Sequence, residues 1–238
     1  MTASCSVSFV PHGQQTFSGC FLNKGFHSKT IGHILAHMAR PRRSEQTREA
    51  LINAGIEQIS RHGYHGTGIK QILDVVNVPK GSFYNFFESK EAFVAELIKE
   101  YSKNLLAELN GFREGPGADL SPVEKLRSIY QYGLELYSNS DCQKSCLIGA
   151  LAMDIGPENA SCQQALRKAT HGWQSIFAQV LVEAQQAGEV RGDLSPTQLS
   201  SVYWSTWEGA LMKMKVTGDS DEAAETMEIM LTILFKAP

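Results

Sequence analysis

The amino-acid sequence predicts an all-α protein. From Ser44 onward, apolar residues recur at the three- and four-residue spacing of amphipathic helices, and no stretch alternates polar and apolar residues for long enough to form a sheet. Two capping boxes mark helix starts, and a 42% hydrophobic content over 238 residues is enough for a substantial core. Residues 1–37 differ, with no acidic residue and no sustained helical period. We interpret them as a disordered extension or a wrongly assigned start, with Met38 as the working start.

Three helices are predicted in residues 38–88. The first covers about Ser44 to His62, and Gly63 is placed to end it. The second covers about Ile69 to Val76, followed by Asn77, whose short amide side chain tolerates the left-handed backbone of a sharp turn. The third runs from Pro79 to Phe87, because proline is favoured in the first helical turn. A short helix, a tight turn and a second helix indicate a helix-turn-helix.

Six further helices are predicted in residues 89–238. Ser121-Pro122-Val123-Glu124 and Ser195-Pro196-Thr197-Gln198 are capping boxes with proline at the first helical position, so they fix two of the starts. The six predicted helices are about Ser89 to Asn110, Ser121 to Ser138, Cys146 to Ile155, Ala160 to Ala187, Ser195 to Val216, and Asp221 to Lys236 with Ser220 as its cap. This larger helical unit is the predicted ligand-binding and dimerisation domain.

The segment from Val78 to Lys90, VPKGSFYNFFESK, carries the strongest functional signal. On a helix its phenylalanines Phe83, Phe86 and Phe87 share one side and can pack on the first two helices. The side chains left to meet phosphates and base edges are Lys80, Ser82, Tyr84 and Asn85. Gly81 costs the helix about 1 kcal/mol and indicates close approach of its backbone to something bulky. A three-helix module with a purely structural role is the alternative.

Charge is distributed unevenly along the chain. Residues 38–90 contain eight basic and five acidic side chains, whereas residues 91–238 contain twelve and twenty. A basic head on an acidic body is typical of a protein that contacts a polyanion with one end. Arg40, Arg42 and Arg43 would form a basic arm that contacts phosphates. Ordinary charge scatter is the alternative.

The motifs TREALINAGIEQISRHGYHGTGIKQIL and VPKGSFYNFFESKEAF resemble the tetracycline-repressor (TetR/AcrR) family of transcriptional regulators. The resemblance implies a homodimer on double-stranded, near-palindromic operator DNA, with the third helix in the major groove and an effector pocket in the C-terminal domain. It also implies that Lys80, Ser82, Tyr84 and Asn85 read DNA and that Lys90 contacts a phosphate. Gly68 and Asn77 depart from the family's usual Ser/Thr cap and turn glycine, which weakens a phosphate contact at Gly68. The match covers about Arg43 to Tyr101.

KSCLIGALAMDIG and YWSTWEGALMKMKV resemble the family's electrophile- or acrylate-responsive subgroup. That resemblance implies a reactive thiol at Cys146 and a lysine, Lys215, that interacts with its modified form. Independently, a helix N-terminus and Lys144 beside Cys146 would lower the pKa of its thiol. A small buried side chain that fills the core is the alternative. Cys142 is a candidate resolving thiol, and Cys162 is a more remote one.

Trp204 and Glu208 are four residues apart and share one helix face, which places a carboxylate beside an indole. Such a pair suits the wall of a ligand pocket, while a core tryptophan and an internal ion pair are the alternative. The predicted effector and sensor residues are Cys146, Trp173, Trp204, Trp207, Glu208 and Lys215.

Two apolar stripes on the last two helices predict a four-helix dimer interface. The residues assigned to it are Leu211, Met214, Met227, Met230, Leu231 and Leu234. A twofold protein requires operator half-sites about one helical turn apart or slightly more.

Other function classes find little in the sequence. No nucleotide-binding glycine loop, zinc-ligand spacing or nucleophile elbow occurs, so we expect no enzyme activity, no cofactor and no metal. Five cysteines without a secretory signal favour the cytoplasm, and we expect no membrane partner. The predicted function is a DNA-binding regulator, a repressor released by a small-molecule or electrophile effector. A helical adaptor that binds another protein without DNA is the alternative.

Overall fold

The computed structural model describes residues 43–138 and 144–237. Residues 1–37, Arg40, Arg42 and Cys142 lie outside the described residues, and Arg43 is described as the first residue of a helix. The helices are α1 (Arg43–Gly66), α2 (Ile69–Val76), α3 (Lys80–Tyr84), α4 (Lys90–Glu114), α5 (Pro122–Ser138), α6 (Leu147–Asp154), α7 (Ala160–Gln186), α8 (Pro196–Thr217) and α9 (Ser220–Ile229), followed by a π-helical segment, Met230–Leu234. Within the described ranges there is no strand, so the all-α prediction is confirmed.

The first two helices form where the sequence predicts them. Gly63 interrupts α1 with φ 73° and ψ 176°, so the predicted stop is confirmed and only one further turn leads to Gly66. Helix α2 has the predicted bounds, and Asn77 follows it in the left-handed conformation with φ 57°. Both residues adopt backbone conformations that most side chains avoid. These turns set the direction from which α2 and α3 meet α1.

Helix α3 is shorter than predicted, ending at Tyr84 rather than Phe87. The N–H groups of Phe86 and Phe87 both donate to Phe83 O at 3.0 Å, which closes the helix in a turn. This turn places Phe87 in the core against Phe93 at a ring-centroid distance of 4.7 Å. Phe83 is fully buried between them, at 5.3 Å from Phe87 and 5.1 Å from Phe93. Phe86 is only half-buried, so two of the three predicted anchors form the core.

The larger helices pack around α7, which contacts α4, α5, α6 and α8, while α9 packs on α5 and α8. Both predicted capping boxes are present, with Ser121 N–H donating to Glu124 at 3.0 Å and Ser195 N–H donating to Gln198 at 2.9 Å. Helix α4 continues one turn beyond the predicted end because the backbone at Gly111 stays helical. Among the described residues, no helix is both long and apolar enough to cross a lipid bilayer.

The C-terminal end differs from the prediction in two respects. Asp219, not Ser220, caps α9, because its carboxylate accepts the Asp221 N–H at 2.8 Å. The chain then widens into the π-helical segment instead of continuing as an α-helix to Lys236. The predicted dimer stripe is wrong for most members, since five of its six residues are buried inside the protomer. The five buried residues are Leu211, Met214, Met227, Met230 and Leu231.

The Gly63→Ala variant should be destabilised by about 1–3 kcal/mol, since a side chain there must tolerate a positive φ. A Cβ would also lie 2.6 Å from Asp154 Oδ2, too close for a neighbour that is itself hydrogen-bonded. Urea unfolding would measure the change. The matched control is Gly111→Ala inside α4, where no atom lies within 4 Å and where we expect a gain of about 0.5–1 kcal/mol. Equal effects of the two substitutions would contradict the strain at Gly63.

Candidate functional site

One exposed face of the N-terminal helices contains the predicted DNA-reading residues. Lys80, Gly81 and Asn85 are exposed, Ser82 is half-buried, and the Tyr84 side chain is 49% exposed. The face forms one wall of a groove shared by α2, α3 and the start of α4. The groove is lined by Ile69, Lys70, Leu73, Asp74, Val78, Pro79, Lys80, Tyr84 and Lys90. The structure therefore brings Lys80, Tyr84 and Lys90 together in one groove, and Gly81 and Asn85 are exposed on the same short helix or at its end.

Gly81 has no structural reason within the protein to be glycine. Its φ is not positive, and a Cβ there would meet no atom within 4 Å. The space that a side chain would occupy lies outside the fold. Close approach of a partner to this position therefore stays a prediction, and the protein's own packing offers no competing explanation.

Gly68, the N-cap residue of α2, has no side-chain hydroxyl to cap the helix. The N–H of Gly68 donates to Gln71 Oε1 at 2.6 Å, which supplies half of a capping box. The neighbouring Thr67 is buried, and its hydroxyl donates to Gly63 O at 2.9 Å and Gln58 O at 3.2 Å. The hydroxyl of Thr67 thus faces inward and does not replace a contact at Gly68.

Lys90, the predicted phosphate contact, is held by Tyr64. Its ammonium donates to Tyr64 O at 2.6 Å and lies 4.1 Å from the centre of the Tyr64 ring. Burial lowers the pKa of Lys90, while the charge of Glu91 opposes this change. The Tyr64 hydroxyl donates to Glu91 at 3.0 Å, and burial together with Glu91 raises the pKa of Tyr64 to about 12. Lys90 is therefore held against Tyr64 in the groove that it shares with Lys80 and Tyr84.

Helix α6 is attached to α1 at both of its ends. At its C-terminal end, Asp154 Oδ2 accepts the Tyr64 N–H at 2.7 Å. Before its N-terminal end, Ser145 N–H donates to Ser60 O at 3.0 Å, and Lys144 pairs with Glu57 at 2.6 Å. These contacts connect α6 to α1, on which α2 packs, and α3 packs in turn on α2.

Cys146 is the N-cap residue of α6, as predicted, but it is almost completely buried. The carboxylate of Glu208 from α8 lies against Gly149 in the first turn of α6, close enough to Cys146 for its charge to act on the thiol. Tyr101 from α4 lies near the same thiol, and its hydroxyl lies 3.3 Å from that of Tyr137 on α5. Four helices thus contribute polar groups to one cluster, in which Cys146 is buried and the other three side chains are half-buried. We call Cys146, Glu208, Tyr101 and Tyr137 the thiol cluster.

The expectation of a lowered thiol pKa is wrong. Burial raises the pKa of Cys146 well above its usual range and the charge of Glu208 raises it further, while the N–H groups of Gly149 and Ile148 oppose them. Burial also raises the pKa of Glu208, opposed by the hydrogen bond from Cys146. Lys144 does not supply the expected cation, because its ammonium pairs with Glu57. Burial and Glu208 thus favour the protonated thiol of Cys146 over its thiolate.

The predicted lysine partner, Lys215, is exposed and donates to Ser145 Oγ at 2.7 Å. It lies next to the residue that precedes Cys146. Cys162 is buried on α7, where its thiol donates to Glu91 O at 3.3 Å. Burial raises the pKa of Cys162 as well. No group of three or more metal-binding side chains was found within residues 43–138 and 144–237.

The three tryptophans pack beside the thiol cluster. Trp173 meets Trp204 edge-on at a ring-centroid distance of 4.7 Å and lies 6.0 Å from Tyr101. Trp207 lies 6.2 Å from Tyr137 and packs over Gly133. Two polar atoms here, Trp173 Nε1 and Glu208 Oε1, are buried and have no hydrogen-bond partner among the described residues. Unpaired buried donors and acceptors are uncommon and indicate a place where a ligand could bind.

Sequence reasoning missed four residues of these sites, Tyr64, Asp154, Tyr101 and Gly149. A Cβ on Gly149 would collide with the carboxylate of Glu208, so this glycine makes room for the acid at the start of α6. A glycine within an apolar helical segment is a signal of close approach and could have indicated it. Asp154, Tyr64 and Tyr101 carry no comparable local signal.

Comparisons with known proteins support this assignment of the fold. Residues 51–97 match the family model "Bacterial regulatory proteins, tetR family", and residues 122–230 match "Tetracyclin repressor-like, C-terminal domain". The repressor DhaR of Mycobacterium sp. (strain GP1) is 30% identical over 190 residues, covering 80% of this chain and 91% of that protein. The regulator AcuR of Cereibacter sphaeroides is 33% identical over 169 residues, covering 71% and 76%. The repressor NemR of Escherichia coli (strain K12) is 29% identical over 174 residues, covering 72% and 85%.

Solved structures agree. The regulatory protein TetR from Rhodobacter sphaeroides superposes with a TM-score of 0.70 at 30% identity, covering 76% of this chain and 95% of that one. Reduced E. coli NemR shares the fold, with a TM-score of 0.71 at 22% identity over 81% and 98% of the two chains. An all-helical body with an exposed helix-turn-helix defines a DNA-binding transcriptional regulator, a class of proteins that are not enzymes. This chain belongs to the tetR family of bacterial regulatory proteins. The adaptor alternative receives no support.

Proposed function

We propose that this regulator is a repressor that binds near-palindromic operator DNA as a homodimer and dissociates when an effector acts on the thiol cluster. The observation that carries the proposal is the direct connection between the two sites. The thiol cluster lies at the N-terminus of α6, and α6 is hydrogen-bonded to α1 beneath the helix-turn-helix. DhaR and NemR are both named repressors. Operator binding would place the protein in the bacterial cytoplasm, at the nucleoid.

DNA recognition is assigned to the exposed side of α3. The residues that would face the major groove are Lys80, Ser82, Tyr84 and Asn85. Gly81, which has no side chain, would let α3 approach the sugar-phosphate backbone of the DNA. Because α3 has only five residues, base contacts are confined to little more than one helical turn. Phosphate contacts are assigned to Lys90 and to the arm of Arg40, Arg42 and Arg43.

Dimerisation is assigned to the exposed apolar side chains of α8, α9 and the π-helical segment. Except for Leu234, they differ from the interface residues that the sequence predicted. They are Val202, Met212, Val216, Ile229, Ile233 and Leu234, each between 39% and 83% exposed. Apolar side chains concentrated on consecutive helices are a common basis for a twofold helical interface.

Effector action is assigned to a change at the N-terminus of α6. An adduct or ligand at Cys146 and Glu208 would displace Ser145 and Lys144, which contact Ser60 and Glu57 on α1. The effector must stabilise the released state more than the operator-bound state, because equal affinity for both would shift nothing. Trp173, Trp204 and Trp207 would surround the bound effector, while Lys215 would respond to it through its hydrogen bond to Ser145.

The test combines operator capture with effector release. DNA fragments selected by the purified full-length protein would provide the operator, and fluorescence anisotropy would measure its binding. We expect p-benzoquinone to reduce affinity by about 10-fold or more in the wild type, within the range of typical allosteric coupling, and to leave the Cys146→Ser variant bound. If the variant is released equally, reversible binding in the cluster replaces the covalent route. If no DNA is selected, the proposed function fails.

A further inference from the structure

We infer that the thiol cluster admits uncharged electrophiles and rejects unsaturated carboxylate anions, and that Glu208 both enforces this selection and accepts the proton of Cys146 during the reaction. The inference rests on the proposed function and specifies the chemistry of its effector. It also assigns a role to a carboxylate that has no ion-pair partner among the described residues.

The position of Glu208 is the first observation. Its carboxylate extends from α8 to the first turn of α6, into the space left by the missing side chain of Gly149. One oxygen, Oε1, is buried without a hydrogen-bond partner in the described part of the chain. Cys146 is the N-cap residue of the same helix, three residues before Gly149. The acid therefore lies beside the start of α6, where Cys146 is the group of the cluster that can act as a strong nucleophile.

The surrounding side chains are the second observation. Tyr101 from α4 and Tyr137 from α5 face the thiol, and burial raises the pKa of both, so both stay uncharged. The indole of Trp173, 1% exposed and with its N–H unpaired, packs on Tyr101. An effector in this position would therefore meet aromatic rings, an unpaired indole donor and one acid.

Two lysines near the start of α6 have other partners. Lys144 pairs with Glu57 on α1 at 2.6 Å, and Lys215 is exposed and donates to Ser145 Oγ at 2.7 Å. Bringing a second carboxylate next to Glu208 in a buried site would place two like charges together in a poorly solvated environment. An uncharged conjugated amide, aldehyde or quinone carries no such penalty. Charge, rather than size, therefore separates the two candidate effector classes.

The reaction needs no external base. As the sulfur of Cys146 forms a bond to the β-carbon of an α,β-unsaturated carbonyl compound, the thiol proton moves to the Glu208 carboxylate. The π electrons of the carbon–carbon double bond shift to give an enolate, which takes the proton from the Glu208 carboxyl at its α-carbon. The products are a thioether and the original carboxylate, so atoms and electrons balance. The thioether has no proton to give, and Glu208 then lies beside an alkylated sulfur at the start of α6.

Acrylamide and acrylate are matched probes, since they differ mainly in charge. Mass spectrometry of the full-length protein would follow adduct formation at Cys146, with rates normalised to those of 2-mercaptoethanol. We expect wild-type Cys146 to react with acrylamide faster than with acrylate, and the ratio of these two rates should exceed the same ratio for 2-mercaptoethanol by about 100-fold, as expected when a charge is excluded from a poorly solvated site. In Glu208→Gln the preference should fall to about 10-fold or less, and the acrylamide reaction should slow by about 100-fold, the lower range for loss of a general base.

Two further variants complete the experiment. Glu225→Gln, at an exposed acid on α9, should react like the wild type. Glu208→Asp keeps the charge, so it should still reject acrylate although its acrylamide reaction slows. Unchanged operator binding by each variant would show that it is folded.

The signs of the changes separate the possible outcomes. A faster acrylamide reaction in Glu208→Gln would mean that Glu208 only suppresses the thiolate, and it would overturn the proton-acceptor role. Equal normalised rates for acrylamide and acrylate in the wild type would overturn the charge selection. Absence of any adduct at Cys146 would overturn the inference, while operator capture would still decide the proposed DNA binding separately.

Discussion

Replacing Tyr84 with alanine should weaken operator binding by about 10- to 100-fold, because a good base contact contributes about 1–3 kcal/mol. The side chain is 49% exposed on the outer face of α3, in the groove that α3 shares with α2 and α4. Its loss removes little buried surface, so the free energy of unfolding should change by no more than about 0.5 kcal/mol. Fluorescence anisotropy with the captured operator and urea unfolding would measure the two quantities.

Tyr132 supplies the matched control. It is 40% exposed on α5, away from the helix-turn-helix, so Tyr132→Ala should change neither operator affinity nor its salt dependence. A Tyr84→Ala protein that binds the operator with wild-type affinity would show that α3 does not face the groove as proposed. Loss of stability instead of affinity would assign Tyr84 to the core.

Replacing Phe83 with alanine should lower the free energy of unfolding by about 3–5 kcal/mol, the usual range for a buried phenylalanine. The ring is 0% exposed and lies within 5.3 Å, between ring centroids, of Tyr84, Phe87 and Phe93. These contacts join α3 to α4. The variant should therefore lose operator binding as a consequence of unfolding around α3, and urea unfolding would reveal the cause.

Phe86 is the control for Phe83, since it has the same chemistry but is only half-buried. Phe86→Ala should cost clearly less, about 1–2 kcal/mol in proportion to the smaller area it buries. A Phe83→Ala protein within 1 kcal/mol of the wild type would falsify the aromatic core. Neighbouring residues on α3 are thus expected to separate recognition from stability.

Helix starts and turns could be predicted from the sequence because their signals are local. The boxes at Ser121 and Ser195 place a side-chain acceptor and a proline within four residues, and both helices begin there. Gly63 and Asn77 are likewise residues that tolerate a positive φ, and both adopt one. The polar face of α3 followed from helical spacing. Each of these features depends on a few consecutive residues.

Features that depend on distant parts of the chain could not be predicted in this way. The apolar stripe containing Met227 and Met230 has the same periodicity whether it faces the protomer core or a second copy, and only the packing of α5 and α8 against α9 decides. The electrostatics of Cys146 depend on Glu208, which is remote in sequence. The local signals, a helix N-terminus and Lys144, predicted a lowered thiol pKa. The pKa is raised instead, because burial and Glu208 outweigh them.

The attachment of α6 to α1 at both ends limits how the molecule can respond. A helix of eight residues is about 12 Å long and stiff at that length, so it cannot pivot about one end while the other stays fastened. It must either stay in place or shift together with Tyr64 and Ser60. Intermediate positions would break hydrogen bonds without forming new ones. Partial doses of effector should therefore produce a mixture of fully bound and fully free operators, giving all-or-none transcription at each promoter copy.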